Sequence, residues 1–324
     1  MNAAWLLVGS AGLISAGLYL SAIIWSLGAL LLAFLTPLPI FLVGLSLGAR
    51  AAGIAGAMAA LIVIAASSTL GGVMYIGAYA LPVFLVCRSA MLSRVIIDAS
   101  GGKTVERYPP GMLTIWLTLV PVTVLVLTFI YAMANGDSLE SMIARQLEPF
   151  IQHYRTAYGA AITGTDTTAP GQLEMIEKLI IQIAPTMLAI GSMATVLLNG
   201  VLAQGVLSRF GHNMRPSPRM GQIELPHWLI ICFASNFLLG ITIGDPLGYL
   251  AMALAGTFAF PLFLSGLGVA HAAADRSKVP FGLLFVIYVL LSISRWGTPA
   301  AVILGLIDHF AGLKARLRAR SSIT

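Results

Sequence analysis

The sequence predicts an all-α fold, a polytopic transmembrane helix bundle of eight spans plus a short C-terminal helical hairpin. Two observations carry this. First, 58% of the 324 residues are hydrophobic and 9% are charged, with a mean hydropathy of +0.93. A soluble domain is roughly 45–50% apolar and about 25% charged. Second, the few charges are segregated. None occurs over Met1–Ala49, Ala51–Cys87, Tyr108–Gly136, Leu179–Ser208, Leu225–Gly244 or Pro246–Ala274. A crossing of about 30 Å of hydrocarbon takes roughly 20 apolar residues. The first two runs therefore hold two crossings each and the other four hold one each. The same balance excludes disorder, and two cysteines exclude a disulfide scaffold.

Val279–Ser294 and Trp296–Ile307 are also charge-free but short, and Arg295-Trp296-Gly297-Thr298-Pro299 separates them. Gly and Pro read as a break, so the chain is expected to close as a hairpin of two short helices, the alternative being one long kinked helix. Lys and Arg are retained on the cytoplasmic side. With the N-terminus inside, the inner loops hold Arg50; Arg88, Arg94, Lys103 and Arg107; Arg209, Arg215 and Arg219; and Arg276 and Lys278. Lys314, Arg316, Arg318 and Arg320 complete the set in a basic tail, so that fourteen of the eighteen basic residues lie inside. The expected location is a bacterial cytoplasmic membrane, with both termini cytoplasmic. The first apolar stretch has no basic residue ahead of it and is expected to remain as the first span. Cys87 and Cys232 are expected to be unpaired packing residues.

Element by element, Asn2–Ser26 is the first span. The second, Leu27–Gly48, carries Thr36-Pro37-Leu38-Pro39, which is expected to kink or unwind it against protein or a cavity. Gly44, Gly48, Gly53, Gly56, Ala57 and Ala60 form a small-residue pattern that favours close packing of the second and third spans. The fourth ends at Arg88. The loop to Pro110 mixes Met91, Leu92, Val95, Ile96 and Ile97 with Arg88, Arg94 and Asp98, which predicts a short amphipathic surface helix stopped at Gly101-Gly102. Met112–Ala134 is the fifth span. An amphipathic helix capped by Asp137 and kinked or restarted at Pro149 follows, then a Thr- and Gly-rich loop over Gly159–Gly171. Asp245-Pro246 reads as a helix cap followed by proline. The chain divides into an N-terminal membrane region (1–134), an extracytoplasmic segment (135–178), a C-terminal membrane region (179–308) and the tail (309–324).

The sixth span carries the polar groups. Gln182 and Thr186 flank Pro185, and Ser192, Thr195 and Asn199 share one helix face. Asn236 on the seventh span is a candidate partner for them. Such amides usually join neighbouring helices, and the same set offers a solute-binding surface. The basic groups Arg215, Arg219, Lys314, Arg316, Arg318 and Arg320 are candidate contacts for anionic lipid, at about 1 kcal/mol per residue near the surface, or for a protein partner. No catalytic constellation, metal-ligand set, cofactor motif or nucleic-acid surface is read.

Ile303-Leu304-Gly305-Leu306-Ile307-Asp308, with the basic stretch behind it, resembles the closing G-L-I-D motif of the YybS-like predicted membrane proteins, a bacterial domain of unknown function. Leu225-Pro226-His227-Trp228-Leu229, after Arg215-Pro216-Ser217-Pro218, is similar to a second segment of that family. His309-Phe310-Ala311-Gly312-Leu313-Lys314 replaces the usual aromatic-acid-Phe-Arg sequence. Pro39–Ala60 also looks like the second and third helices of the substrate-binding subunits of energy-coupling-factor vitamin transporters, and like the cell-shape protein MreD. The resemblance implies a related N-terminal membrane fold with Asp308 structural. Two roles are expected: solute binding or transport with a partner, its site between the sixth, seventh and N-terminal spans, or a non-enzymatic scaffold resembling MreD that docks partners through Gly211–Gly221 and the tail.

Overall fold

The computed structural model describes residues 3–22, 27–97, 103–163, 169–217 and 220–319. In chain order the first helices are α1 (Ala3–Ser21), α2 (Leu27–Phe34), α3 (Leu38–Leu47), α4 (Ala49–Ala66) and α5 (Thr69–Tyr75). A π-helical turn, Ile76–Ala80, leads into α6 (Leu81–Ala90). Strands β1 (Ser93–Ile97) and β2 (Lys103–Arg107) come next, then α7 (Pro110–Ala134), α8 (Leu139–Thr163) and α9 (Ala169–Arg209). The remainder is α10 (His227–Thr242), α11 (Leu247–Ala274), α12 (Pro280–Ile293), α13 (Gly297–Ala311) and α14 (Leu313–Ala319).

Six described helices are long and apolar enough to cross a membrane: Ala4–Ser21, Ala49–Ala66, Thr69–Ala90, Pro110–Ala134, Glu174–Arg209 and Leu247–Ala274. The two further spans expected from the sequence are shorter. α10 has 16 residues, about 24 Å at 1.5 Å per residue. The second span is broken, as its prolines predict, into α2 and α3. The break is surrounded by protein. Asn199 Nδ2 donates to Phe34 O at 2.8 Å, and Ser15 Oγ donates to Thr36 O at 2.6 Å while lying 2.7 Å from Tyr75 Oη. These side chains replace the hydrogen bonds that the unwound turn cannot make, which is what makes such a break tolerable at membrane depth.

Three local expectations are corrected. The loop between α6 and α7 is an antiparallel hairpin, not an amphipathic helix, with Arg94 opposite Glu106, Val95 opposite Val105 and Ile96 opposite Thr104. β-branched residues suit a pleated strand and lose rotamer freedom in a helix; the expected Gly101-Gly102 stop lies outside the described residues. Next, Ser138 rather than Asp137 caps α8. Ser138 Oγ accepts Ser141 N at 3.1 Å and Ser141 Oγ accepts Ser138 N at 3.3 Å, a reciprocal pair of the capping-box kind. Asp137 then binds the same turn from one residue upstream, accepting Ser138 N at 2.9 Å. Finally, α8 continues past Pro149 to Thr163 rather than restarting there, and α9 begins at Ala169, which narrows the expected Gly159–Gly171 loop. At the other end, α12 and α13 are two short helices, as favoured, but Pro299 sits in the first turn of α13 rather than in the break. Asp245–Pro246 is a cis peptide ahead of α11.

The chain forms two compact units. The first comprises Met1–Pro121, Ser192–Pro226 and Ala259–Thr324. Its α4 is lined by Ala52, Ala55, Ala59 and Val63, all fully buried. Small residues allow close approach here, though to more than the expected neighbour. A Cβ on Gly44 would lie 2.8 Å from Ala52 Cβ and 2.6 Å from Cys87 Sγ, and one on Gly56 would lie 3.2 Å from Ala80 Cβ. Thus Gly44 packs on α4 and α6, whereas Gly56 faces the fourth span instead of the second. The second unit comprises Val122–Gly191 and His227–Phe258. Within it, α8 is tied to α9 by a bidentate pair, Arg155 with Glu177, and Tyr249 Oη donates to Ile181 O at 2.7 Å.

Candidate functional site

The polar residues of the sixth span divide between the two units. In the second, Gln182 is exposed. Thr186 Oγ1 lies 3.4 Å from Ala253 O and against Gly256, where a Cβ would approach Thr186 Cγ2 to 2.4 Å; it is a packing contact between α9 and α11. Asn236, also in the second unit, donates through Nδ2 to Cys232 O of its own helix at 2.9 Å. In the first unit Ser192 is half-buried and Thr195 is buried. Asn199, 1% exposed, donates to Thr195 O at 2.8 Å as well as to Phe34 O. Its Oδ1 has no hydrogen-bond partner among the described residues. Asn199 therefore holds the broken second span in place, which is a structural use of the residue.

The first unit also contains a cavity of about 290 Å³, at the lower edge of the roughly 300–1,000 Å³ usual for ligand sites. Phe41 and Leu45 of α3, Val86 of α6, Leu113 and Leu117 of α7, and Val196 of α9 give it an apolar wall. Gly200 lies close against Phe41 on this wall: a Cβ there would be 3.2 Å from Phe41 Cζ, so the ring would have to give by a few tenths of an ångström. The polar lining is gathered where α9 ends and the following loop returns. Gln204 Nε2 donates to Arg215 O at 2.5 Å and lies 3.5 Å from Ser217 Oγ.

Arg215, expected as an outward contact for lipid or a partner, points inward and is 8% exposed. One guanidinium nitrogen donates to Ala90 O at 3.2 Å and the other to Tyr108 O at 2.8 Å. It thus meets the carboxyl end of α6, where the helix dipole favours a cation, and it pins the loop to both ends of the hairpin. Among the described residues no carboxylate forms an ion pair with it. Burial, and secondarily Arg107, depress its pKa from the usual arginine value.

Lys314 corrects the tail in the same way. It is 5% exposed and paired at 2.9 Å with Asp308, which is 6% exposed. Lys314 Nζ also donates to Ser265 Oγ at 2.9 Å and to Ile223 O, while Lys314 N donates to Asp308 Oδ1 at 2.8 Å. A buried cation needs such a partner set. The helices meet here through glycine: a Cβ on Gly305 would come within 2.0 Å of Leu262 O, and one on Gly266 within 1.9 Å of Ala301 O. Gly305 of the G-L-I-D motif thus brings α13 onto α11, and Asp308 follows one turn later beside Ser265. Arg316 is exposed. Arg219 and Arg320 lie outside the described residues, as does the side chain of Arg318.

The Ser265–Asp308–Lys314 cluster and the Arg215 end of the cavity were missed by sequence reasoning. A faint signal existed: Asp308 and Lys314 flank Gly312, whose φ of 61° lets the chain turn back within six residues. The cluster also touches the cavity, since Ile223, whose carbonyl Lys314 holds, is a lining residue. Cys87 and Cys232 are both free. Among the described residues no group of three His, Cys, Asp or Glu side chains is placed to hold a metal ion.

Several apolar helices of spanning length and a charge-poor chain define a multi-pass membrane protein. The family comparison gives the particular kind. Residues 13–309 match the model of the predicted membrane protein family DUF2232, and the chain belongs to that family. This is consistent with the YybS-like resemblance and covers both motifs that carry it. No curated protein matches the chain, and no solved structure matches it; the likeness to energy-coupling-factor subunits and to MreD has no support from these comparisons.

Proposed function

We propose that this protein is a solute-binding membrane protein of transport type that works with a partner, its solute held in the first-unit cavity. The observation that carries the reading is the apolar chamber ending in a buried arginine that pairs with no carboxylate among the described residues. The site expected from the sequence moves accordingly, from the Asn199 face of α9 to the Val196, Gly200 and Gln204 side. The similarity of Pro39–Ala60 to vitamin-transporter subunits points the same way, as an analogy of fold alone. We assign no reaction to it. Ser265 and Lys314 have the composition of a serine–lysine dyad, but Lys314 Nζ is paired with Asp308 and donates to both Ile223 O and Ser265 Oγ, a structural arrangement in which it does not accept the serine proton.

The topology we propose has eight crossings in a bacterial cytoplasmic membrane, with the broken second span and α10 as the two short ones and both termini cytoplasmic. A reporter fused after Thr324 should then be active in the cytosol, and one inserted near Thr165 in the periplasm. The reverse result for either would overturn it. Solute binding is tested by native mass spectrometry of protein released from lipid nanodiscs. A small molecule should stay bound to the parent protein and be lost from Val196→Trp, which fills the chamber. Absence of any such molecule from the parent, or equal retention by the variant, counts against the reading.

A scaffold role is the second reading. It is favoured by Phe210 and Met214, 68% and 58% exposed beside the Gly211–Gly221 loop. Cross-linking from those two positions in cells should trap one specific protein; recovery of lipid alone would refute it.

A further inference from the structure

We infer that the cavity's ligand is an anionic amphiphile, with a phosphate or carboxylate head at Arg215 and an apolar tail along Phe41, Leu117 and Val196. This rests on the solute-binding reading and specifies its ligand class. Three features of the site lead to it. The wall is apolar apart from one end, so a ligand that fills the chamber must be apolar over most of its length. That end carries a buried guanidinium whose described hydrogen bonds go to two backbone carbonyls, which leave it without a counter-ion among the described residues. An unpaired buried charge is costly, and a phosphate or carboxylate is the group a guanidinium fork matches best.

The third feature is the backbone around the same end. α7 starts at Pro110, itself a lining residue, so the positive end of its dipole faces the same region. Gln204 and Ser217 add neutral side-chain polar groups beside Arg215, and among the described residues no acidic side chain lines the cavity. A cationic head would therefore meet a guanidinium and a helix N-terminus with nothing to neutralise it. A neutral head would leave the arginine as it is now.

The experiment compares three probes on the protein in nanodiscs of neutral lipid, with empty nanodiscs subtracted: dodecyl phosphate, dodecanol and inorganic phosphate. Dodecyl phosphate should bind roughly tenfold to a hundredfold more tightly than dodecanol, the range of one charge-assisted hydrogen-bonded contact. Inorganic phosphate should compete poorly. Arg215→Gln should remove the preference while dodecanol binding persists. Because Arg215 also staples the loop, Ser217→Asp provides a second test. It sets a carboxylate at the same end without touching the bonds to Ala90 and Tyr108, and should likewise abolish the preference. Equal binding of dodecyl phosphate and dodecanol to the parent would overturn the anionic head and leave solute binding standing. Competition by inorganic phosphate as strong as that by dodecyl phosphate would overturn the tail. Binding of no probe would overturn both the inference and the reading beneath it.

Discussion

Replacing Lys314 with methionine removes a cation from a site in which both charges are almost fully buried and 2.9 Å apart. Asp308 would keep the backbone N–H of residue 314, 2.8 Å from Oδ1, and a long contact with Ser265 Oγ at 3.5 Å. Its remaining charge would be unpaired. Breaking a buried pair from one side costs about 3–5 kcal/mol. Loss of the donor to Ile223 O adds about 1 kcal/mol on the ordinary scale of a backbone acceptor left unmade. Removing both partners, as in Asp308→Leu with Lys314→Met, eliminates the orphaned charge and should cost about 1–2 kcal/mol, mainly the two orphaned backbone groups. The cycle should therefore show a coupling of about 2 kcal/mol or more. Cys87 supplies the assay, being free and fully buried. In a Cys232→Ser background a thiol-reactive fluorogenic maleimide reports its exposure as detergent-solubilised protein is titrated with denaturing detergent. If Lys314→Met unfolds with the parent, or if the double variant loses the full sum of the two singles, the cluster is not the lock on the tail that its geometry describes.

Three further outcomes follow from the same structure. Gly305→Ala would drive a Cβ to within 2.0 Å of Leu262 O and should cost at least about 1–3 kcal/mol by forcing α13 from α11; Gly312→Ala, strained by its φ of 61° but with open space around it, should cost about 1 kcal/mol, and the Cys87 assay ranks them. Asn199→Leu leaves the Phe34 carbonyl without its donor and should destabilise by about 1–3 kcal/mol, with faster hydrogen exchange around the α2–α3 break as its local signature. Asp137, held well below the usual carboxylate range by Arg145, then Ser141 and Ser138, steadies the first turn of α8 above that range and loses this effect as pH falls through its depressed folded value. Protection of the Leu139–Ile143 amides, taken relative to their intrinsic exchange rates at each pH, should fall in acid in the parent, and Asp137→Asn should flatten that dependence.

What could be read from the sequence depended on whether the cause was local. The prolines at 37 and 39 broke the second span because a missing N–H and a fixed φ act wherever the chain goes. The paired closing helices were equally legible in Arg295–Pro299. The hairpin was less legible because Arg94 and Asp98, four residues apart amid apolar residues, imitate a helix face, against which the three consecutive β-branched residues Val95, Ile96 and Ile97 favour a strand. Lys314 and Arg215 failed for a different reason. The retention of Lys and Arg on one side of a membrane counts charges near that surface and says nothing about which way each side chain turns. Arg215 turns inward because the ends of α6 and β2 bring two carbonyls, separated from it by more than a hundred residues of sequence, to one point. Lys314 turns inward because Gly305 and Gly266 let two helices approach closely enough to bury Asp308. Contacts of that separation leave no periodicity in the chain. The sequence therefore located the polar sixth span, whereas tertiary packing made Asn199 a strut and left the adjacent Val196–Gln204 face to line the chamber.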